Sequence, residues 1–177
     1  MIVGLDCQGL VGLAYDVQRV VNEFLCNPVD SKEYRMPVVR FQMTSALDPA
    51  AVMGVLTDFG PTRPQQWPTI DADHFRVHAL GDTWAEVTEG TAAAWERARY
   101  DWDAQRRRVT VATHDSKVFG PGGGWTFQLT PQAGGTRVDI ELIRNPTGLK
   151  RKLLAALLPV VAPSALKKSF AGPLRAK

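Results

Sequence analysis

The order in which structural signals follow one another constrains this chain more than any single motif. A strand-like run comes first, residues 38–44, in which Val39, Phe41 and Met43 alternate with Arg40, Gln42 and Thr44. That is the period-two pattern of a half-buried strand. Asp48-Pro49 then opens a short helix, with an acidic N-cap and a proline at the first helical position. Val52, Val55, Leu56 and Phe59 form its apolar stripe, Gly60-Pro61 ends it, and Pro64 and Pro68 keep the next stretch short and turned. From there to residue 144 only strand runs occur, with no helical pattern between them. Phe75 and Val77 lead into a turn at Gly81-Asp82, and residues 83–88 return. Residues 94–102 pair with 108–114 across Asp103-Ala104-Gln105, and residues 124–130 pair with 136–144. In the last run Val138, Ile140 and Leu142 point one way while Arg137, Asp139 and Glu141 point the other. Such a sheet has one wet face and one covered face. A mostly antiparallel sheet with helices only at its two ends is an α+β arrangement, its helices covering one face.

The expected cover is the apolar and basic segment 148–170. Leu149, Leu153, Leu157 and Val161 recur every fourth residue, a continuous stripe with cations beside it. Pro159 and Pro163 forbid one straight helix, so a kinked or two-part helix is expected, with a restart near Ser164. A helix lying across a curved sheet leaves a cavity between them. The function is expected to lie in what that cavity holds.

Residues 1–35 read differently. Leu13, Val17, Val20, Val21 and Phe24 suit a short amphipathic helix over residues 12–25, stopped by Asn27-Pro28. We expect an N-terminal extension there, with the compact domain over residues 36–177. At 177 residues the chain is long enough for one well-buried core. Its cysteines, Cys7 and Cys26, both precede that domain, which argues against a disulfide framework and for a reducing compartment. No Lys or Arg occurs before Tyr15, and Asp6 interrupts the apolar start, so a secretory signal is not expected. The longest apolar run, near residues 153–163, is too short to span a bilayer. A cytoplasmic protein is the expectation.

Charge is unevenly placed. Residues 1–146 carry 14 Lys and Arg against 18 Asp and Glu, whereas residues 147–177 carry seven cations and no acid. The basic character belongs to the tail alone, which counts against a nucleic-acid-binding face. Lys150, Arg151 and Lys152 beside the apolar stripe suit peripheral contact with anionic lipid. They equally suit a helix end whose dipole favours cations.

Several short segments together carry a family resemblance: residues 46–52 (ALDPAAV), Leu56-Thr57-Asp58-Phe59, Trp67-Pro68, Glu96-Arg97-Ala98-Arg99-Tyr100-Asp101 and Gly134-Gly135-Thr136-Arg137-Val138. From residue 36 to about 175 the chain resembles the START-like (SRPBCC) superfamily, in particular its bacterial polyketide cyclase/dehydrase-like and lipid-transport-like branch. The resemblance implies a helix-grip fold, a curved antiparallel sheet wrapped around a long C-terminal helix with an internal apolar cavity. It implies no one activity, since members bind lipids, cyclise polyketides, carry hormones or assist chaperones.

Aromatic residues are the natural walls of such a cavity. Trp67, Trp84, Trp95, Trp102 and Trp125 all fall on strand runs or at the helix exit, and indoles join a large apolar face to one polar handle. The residues expected to line it are Phe41, Phe59, Trp67, Phe75, Trp84, Tyr100, Trp125, Phe127, Leu153, Leu157 and Val161. No zinc spacing, HExxH pair or GxSxG elbow occurs, and His74, His78 and His114 do not cluster in sequence. No metal or cofactor is expected. An acid/base pair would have to come from strand residues such as Glu86, Arg97, Arg99 and His114. Alternation turns most of these to solvent, leaving Arg97 and His114 as candidates without an assigned catalytic set. The run Gly120-Pro121-Gly122-Gly123-Gly124 lacks the Lys-Ser/Thr of a phosphate loop and reads as a hairpin loop at the cavity mouth. The expected function is binding or transport of a lipid or polyketide-like molecule without catalysis. An aromatase/cyclase or dehydratase on the same scaffold is the alternative, and a protein-interaction module the third reading.

Overall fold

The computed structural model describes residues 37–146 and 163–175. The expectations for the N-terminal arm, for Cys7 and Cys26, for Pro159, for the cations 150–152 and for the stripe Leu149, Leu153, Leu157 and Val161 lie outside the described residues.

Seven antiparallel strands make one sheet. They are β1 (Val38–Ser45), β2 (Arg76–Leu80), β3 (Trp84–Gly90), β4 (Trp95–Asp103), β5 (Arg108–Ser116), β6 (Gly120–Gln132) and β7 (Gly135–Asn145). Their spatial order is β1-β7-β6-β5-β4-β3-β2, so β2 to β7 form a meander and β1 closes the far edge beside β7. The alternation read from the sequence of β7 meets a burial alternation here: Val138, Ile140 and Leu142 are buried while Arg137 is exposed. Register follows: Phe41 stands opposite Ile140, and Met43 opposite Val138, because a one-residue slip would turn every apolar side chain to water.

The chain passes from β1 at one edge to β2 at the other through α1 (Pro49–Thr57) and α2 (Arg63–Gln66). Asp48 caps α1 as expected, its carboxylate accepting from the Ala51 N–H at 2.9 Å. Val52, Met53 and Leu56 are the buried residues of α1. Phe59 lies beyond the helix, edge-on to Tyr100 at 4.9 Å between ring centroids. A third helix, α3, occupies residues 163–171.

The end of α3 is tied to the end of β1. Ser45 Oγ donates to Leu174 O at 2.5 Å, and Ala46 N–H donates to Arg175 O at 3.0 Å. Leu174 is fully buried. Phe170 sets its ring 5.5–6.3 Å from those of Trp67, Phe127, Trp125 and Phe41. The concave face of the sheet, α1 and α3 thus share one core.

One expectation is corrected. Gly120 to Gly124 are not a hairpin loop but the first part of β6, with a register shift between Gly120 and Gly124. The glycines are needed because β6 lies close between its neighbours. A Cβ on Gly123 would fall 2.5 Å from the Ile143 carbonyl oxygen, and one on Gly124 would collide with the Val111 carbonyl.

Candidate functional site

Parity along each strand decides which side chains reach the concave face. In β4, Ala98 and Tyr100 are buried there, and Glu96 has the same parity. In β3, Glu89 shares parity with the buried Ala85 and Val87, and in β7 Arg144 shares parity with Val138, Ile140 and Leu142. Three charged groups are thereby directed to the apolar side. Arg63, in α2 above the sheet, is the fourth and is 3% exposed.

These four make two ion pairs. Arg63 Nε donates to Glu89 Oε2 at 2.8 Å, and its Nη1 donates to the carbonyls of Asp58 (2.9 Å) and Leu56 (3.3 Å). The Tyr100 hydroxyl donates to the other Glu89 oxygen. Arg144 holds Glu96 through Nη1 at 2.7 Å and Nη2 at 3.4 Å. Glu96 also accepts from Thr113 Oγ1 (3.0 Å) and from the Trp125 indole N–H (3.1 Å). Aromatic faces complete both pairs, the Arg63 guanidinium lying 4.6 Å from the Phe59 ring centre and that of Arg144 lying 5.1 Å from Trp125.

Burial and pairing act against each other on these groups. Burial disfavours the Glu96 charge, but the Arg144 guanidinium and the hydrogen bonds from Arg144, Trp125 and Thr113 outweigh it and hold the carboxyl below its usual range. Burial likewise disfavours a charged Arg63, yet Glu89 and Tyr100 hold its guanidinium above the ordinary value. Burial, reinforced by the facing Glu89 carboxylate, pushes the Tyr100 phenol well up. At neutral pH Glu96 is therefore a carboxylate, Arg63 a guanidinium and Tyr100 a neutral phenol.

A cavity of about 420 Å³ opens beside these pairs. Arg63, Glu89, Tyr100, Glu96 and Arg144 lie on its wall together with Trp67, Ile70, Trp95, Phe119, Trp125, Phe127, Leu166 and Phe170. The size is typical of small-molecule sites. Of the residues expected there, Trp67, Tyr100, Trp125 and Phe127 line it. Four others do not. Phe41 packs on Phe170 at 6.3 Å, and Phe59 lies under Arg63 and Tyr100. Phe75 is packed against the core from its margin. Trp84 has the outward parity of β3 and lies under the Arg99 guanidinium at 4.4 Å. Leu153, Leu157 and Val161 lie outside the described residues.

The acid/base candidates named from strand position fall on the opposite face. Arg97 Nη2 lies 3.5 Å from Glu86 Oε2, and His114 Nδ1 lies 3.7 Å from Glu86 Oε1, with Arg97 and His114 both exposed. Arg99 pairs with Asp101 at 3.0 Å on that same face. None of the four lines the cavity. The residues that do, Arg63, Glu89, Glu96 and Arg144, went unassigned. The signal for three of them was in the sequence, as charges at the apolar parity of their strands. Among the described residues no cluster of His, Cys, Asp and Glu could hold a metal ion, and no helix is long and apolar enough to cross a membrane.

No protein-family model matches the chain, and no curated protein matches its sequence. Solved structures do match. A START superfamily protein from Mycobacterium smegmatis superposes with a TM-score of 0.59 at 14% identity, over 78% of this chain and 97% of that one. The Zhui aromatase/cyclase from Streptomyces sp. R1128 gives 0.57 at 17% identity, over 78% and 87%. Truncated norcoclaurine synthase from Thalictrum flavum gives 0.59 at 11% identity, over 83% and 96%. The chain has the START-like, helix-grip fold. At these identities the likeness speaks to the fold alone.

Proposed function

We propose that this protein reversibly binds a hydrophobic small molecule, lipid or polyketide-like, in the cavity between the concave face of the sheet and α3, without transforming it. One observation carries the reading: an aromatic-walled cavity of about 420 Å³ whose charged groups are already neutralised in pairs. Paired carboxylates make poor bases. Every Glu96 oxygen is engaged and its carboxyl is held below the usual range, far from the near-neutral value that suits proton transfer. The solved structures named above, an aromatase/cyclase among them, support the choice of ligand class by analogy of fold.

Native mass spectrometry of the purified protein, followed by organic extraction, tests this directly. A co-purifying apolar molecule, or binding of a fatty acid, sterol or aromatic polyketide from a panel, is the expected result. An empty protein that binds none of the panel overturns the proposal, and a stable protein partner on that empty protein would favour an interaction module instead.

A second reading, an aromatase/cyclase or dehydratase, is favoured by the Tyr100 hydroxyl hydrogen-bonded to Glu89 inside the cavity. It requires turnover of a poly-β-keto substrate that is lost in Tyr100→Phe and Glu89→Gln and kept in Arg97→Ala and His114→Ala, which change only the outer face. For location, we propose a cytoplasmic protein that touches anionic membrane through the cations 150–152 when it exchanges ligand. Equal ligand transfer to neutral and anionic vesicles, unchanged when Lys150, Arg151 and Lys152 all become Gln, overturns that part.

A further inference from the structure

We infer that Arg144 anchors the ligand by a neutral carbonyl oxygen, so that the cavity selects a ketone, ester or amide head over an alcohol or a carboxylate. The inference rests on the cavity being a small-molecule site and names the head group that fits it.

A guanidinium carries five N–H donors in a rigid planar fork. Arg144 uses three of them within the protein. Its Nη1 donates to Glu96 Oε2 at 2.7 Å and to Thr113 Oγ1 at 3.3 Å, and its Nη2 donates to Glu96 Oε1 at 3.4 Å. The Nε–H and the second Nη2–H, side by side on the other edge, have no partner among the described residues. That edge is not sealed off. Among the described residues, the fully buried side-chain nitrogens and oxygens without a partner are Trp67 Nε1 and His74 Nδ1. The Arg144 side chain instead keeps 13% of its surface open. What it opens onto is the cavity. Arg144 has the inward parity of β7 and lies on the cavity wall. Its guanidinium is 5.7 Å from the ring centre of Phe119 and 5.1 Å from that of Trp125, both residues of the same wall. Arg63 differs, since it is only 3% exposed and is tied to Glu89 and to the carbonyls of Leu56 and Asp58.

The groups around Arg144 decide which head group fits. Glu96 accepts from Nη1 and Nη2 of Arg144, from Thr113 and from Trp125, which fills the lone pairs of a carboxylate. A ligand hydroxyl could accept from Arg144, but Glu96 would have no room for the hydroxyl proton, a loss when buried. A ligand carboxylate would match the free edge in shape. The Arg144 charge is already matched by Glu96, however, and a second anion would be buried without a cation of its own. A carbonyl oxygen accepts from the free edge and brings neither a proton nor a charge.

Fluorene, 9-fluorenol, 9-fluorenone and fluorene-9-carboxylate share one flat body and differ in the head group, so they make the test. Their affinities are compared in wild type and in the double variant Glu96→Gln, Arg144→Met, which removes the pair without leaving a lone charge. The fluorenone-to-fluorene ratio is expected to fall about tenfold in the variant, the worth of one hydrogen bond to a charged group. Solubility cancels in that comparison, and an unchanged ratio overturns the inference. So does tighter binding of the alcohol or the carboxylate than of the ketone by wild type. The infrared carbonyl stretch of bound fluorenone is a second readout that wild type alone can supply. A frequency below that in hexane is expected, and an unshifted band, or a shift that persists in the double variant, overturns the inference. If none of the four binds while a sterol does, the cavity reading stands and the inference falls. If no apolar probe binds, the cavity reading falls first and takes the inference with it.

Discussion

Arg144, at the end of β7, closes on Glu96, near the start of β4, at 2.7 and 3.4 Å, although 48 residues separate them in sequence. Strands β7 and β4 are three places apart in the sheet, which on a flat sheet is about 14 Å. Two side chains meet over that span only because the sheet curves and both have the parity of its concave face. The pair measures the curvature that makes the cavity.

Acid stability should report this pair. The Glu96 carboxyl is held below its usual range in the folded protein. Its contribution is therefore fully present above the unfolded value of about 4.3 and is lost as pH falls through the folded value. Urea midpoints measured from pH 7 to pH 2 should show Glu96→Gln destabilised at neutral pH, the gap from wild type closing below about pH 4. A gap constant with pH would mean that Glu96 does not titrate in this way.

At the other pair, Arg63→Ala should be costly, since it leaves the Glu89 carboxylate buried without its cation. A loss of about 3–5 kcal/mol is expected by chemical denaturation. The double variant Arg63→Met, Glu89→Gln should recover most of it, because no lone charge remains and the new side-chain amide still offers Tyr100 an acceptor oxygen. Additive losses in the double variant would contradict this account.

Gly124→Ala should cost about 2–3 kcal/mol, since the added methyl meets the Val111 carbonyl in the neighbouring strand. Gly54→Ala is the control, because nothing lies within 4 Å of its added Cβ. It should be neutral or slightly stabilising, by about 0.5–1 kcal/mol, through helix propensity. Thermal melts of the two variants side by side distinguish local crowding from a general effect of removing glycine.

Residues 36–177 should fold cooperatively without residues 1–35. Every described strand of the sheet, including the edge strand β1, begins after residue 36. Thermal unfolding of the shorter chain should keep a single transition within a few degrees of the full chain, equivalent to less than about 1 kcal/mol. A broad or absent transition would place the arm in the core.

Much of the architecture was legible because it is written locally. Asp48 followed by Pro49 specifies a helix start within three residues, and the alternation of Val138, Ile140 and Leu142 marks both the strand and its covered face. Gly81-Asp82 separates β2 from β3 by the same short-range chemistry. The glycine run at 120–124 misled, since glycine serves turns and close strand contacts alike. Only the neighbouring strands show which applies, here through the carbonyls of Val111 and Ile143.

The site was half legible. Trp67, Tyr100, Trp125 and Phe127 were picked out as aromatic and do line the cavity. Strand position offers Arg97 and His114 as candidates without an assigned catalytic set, while Glu96, one residue from Arg97, carries the inward parity. Sequence by itself determined the strands, the turns, the cap and the two faces, because alternation and Gly/Pro geometry act over a few residues. Tertiary structure alone decided that Arg63 meets Glu89 and Arg144 meets Glu96, and that Trp67 keeps an unpaired N–H beside them. Those meetings depend on sheet curvature and on where α2 and α3 pack, and no short stretch of residues encodes either.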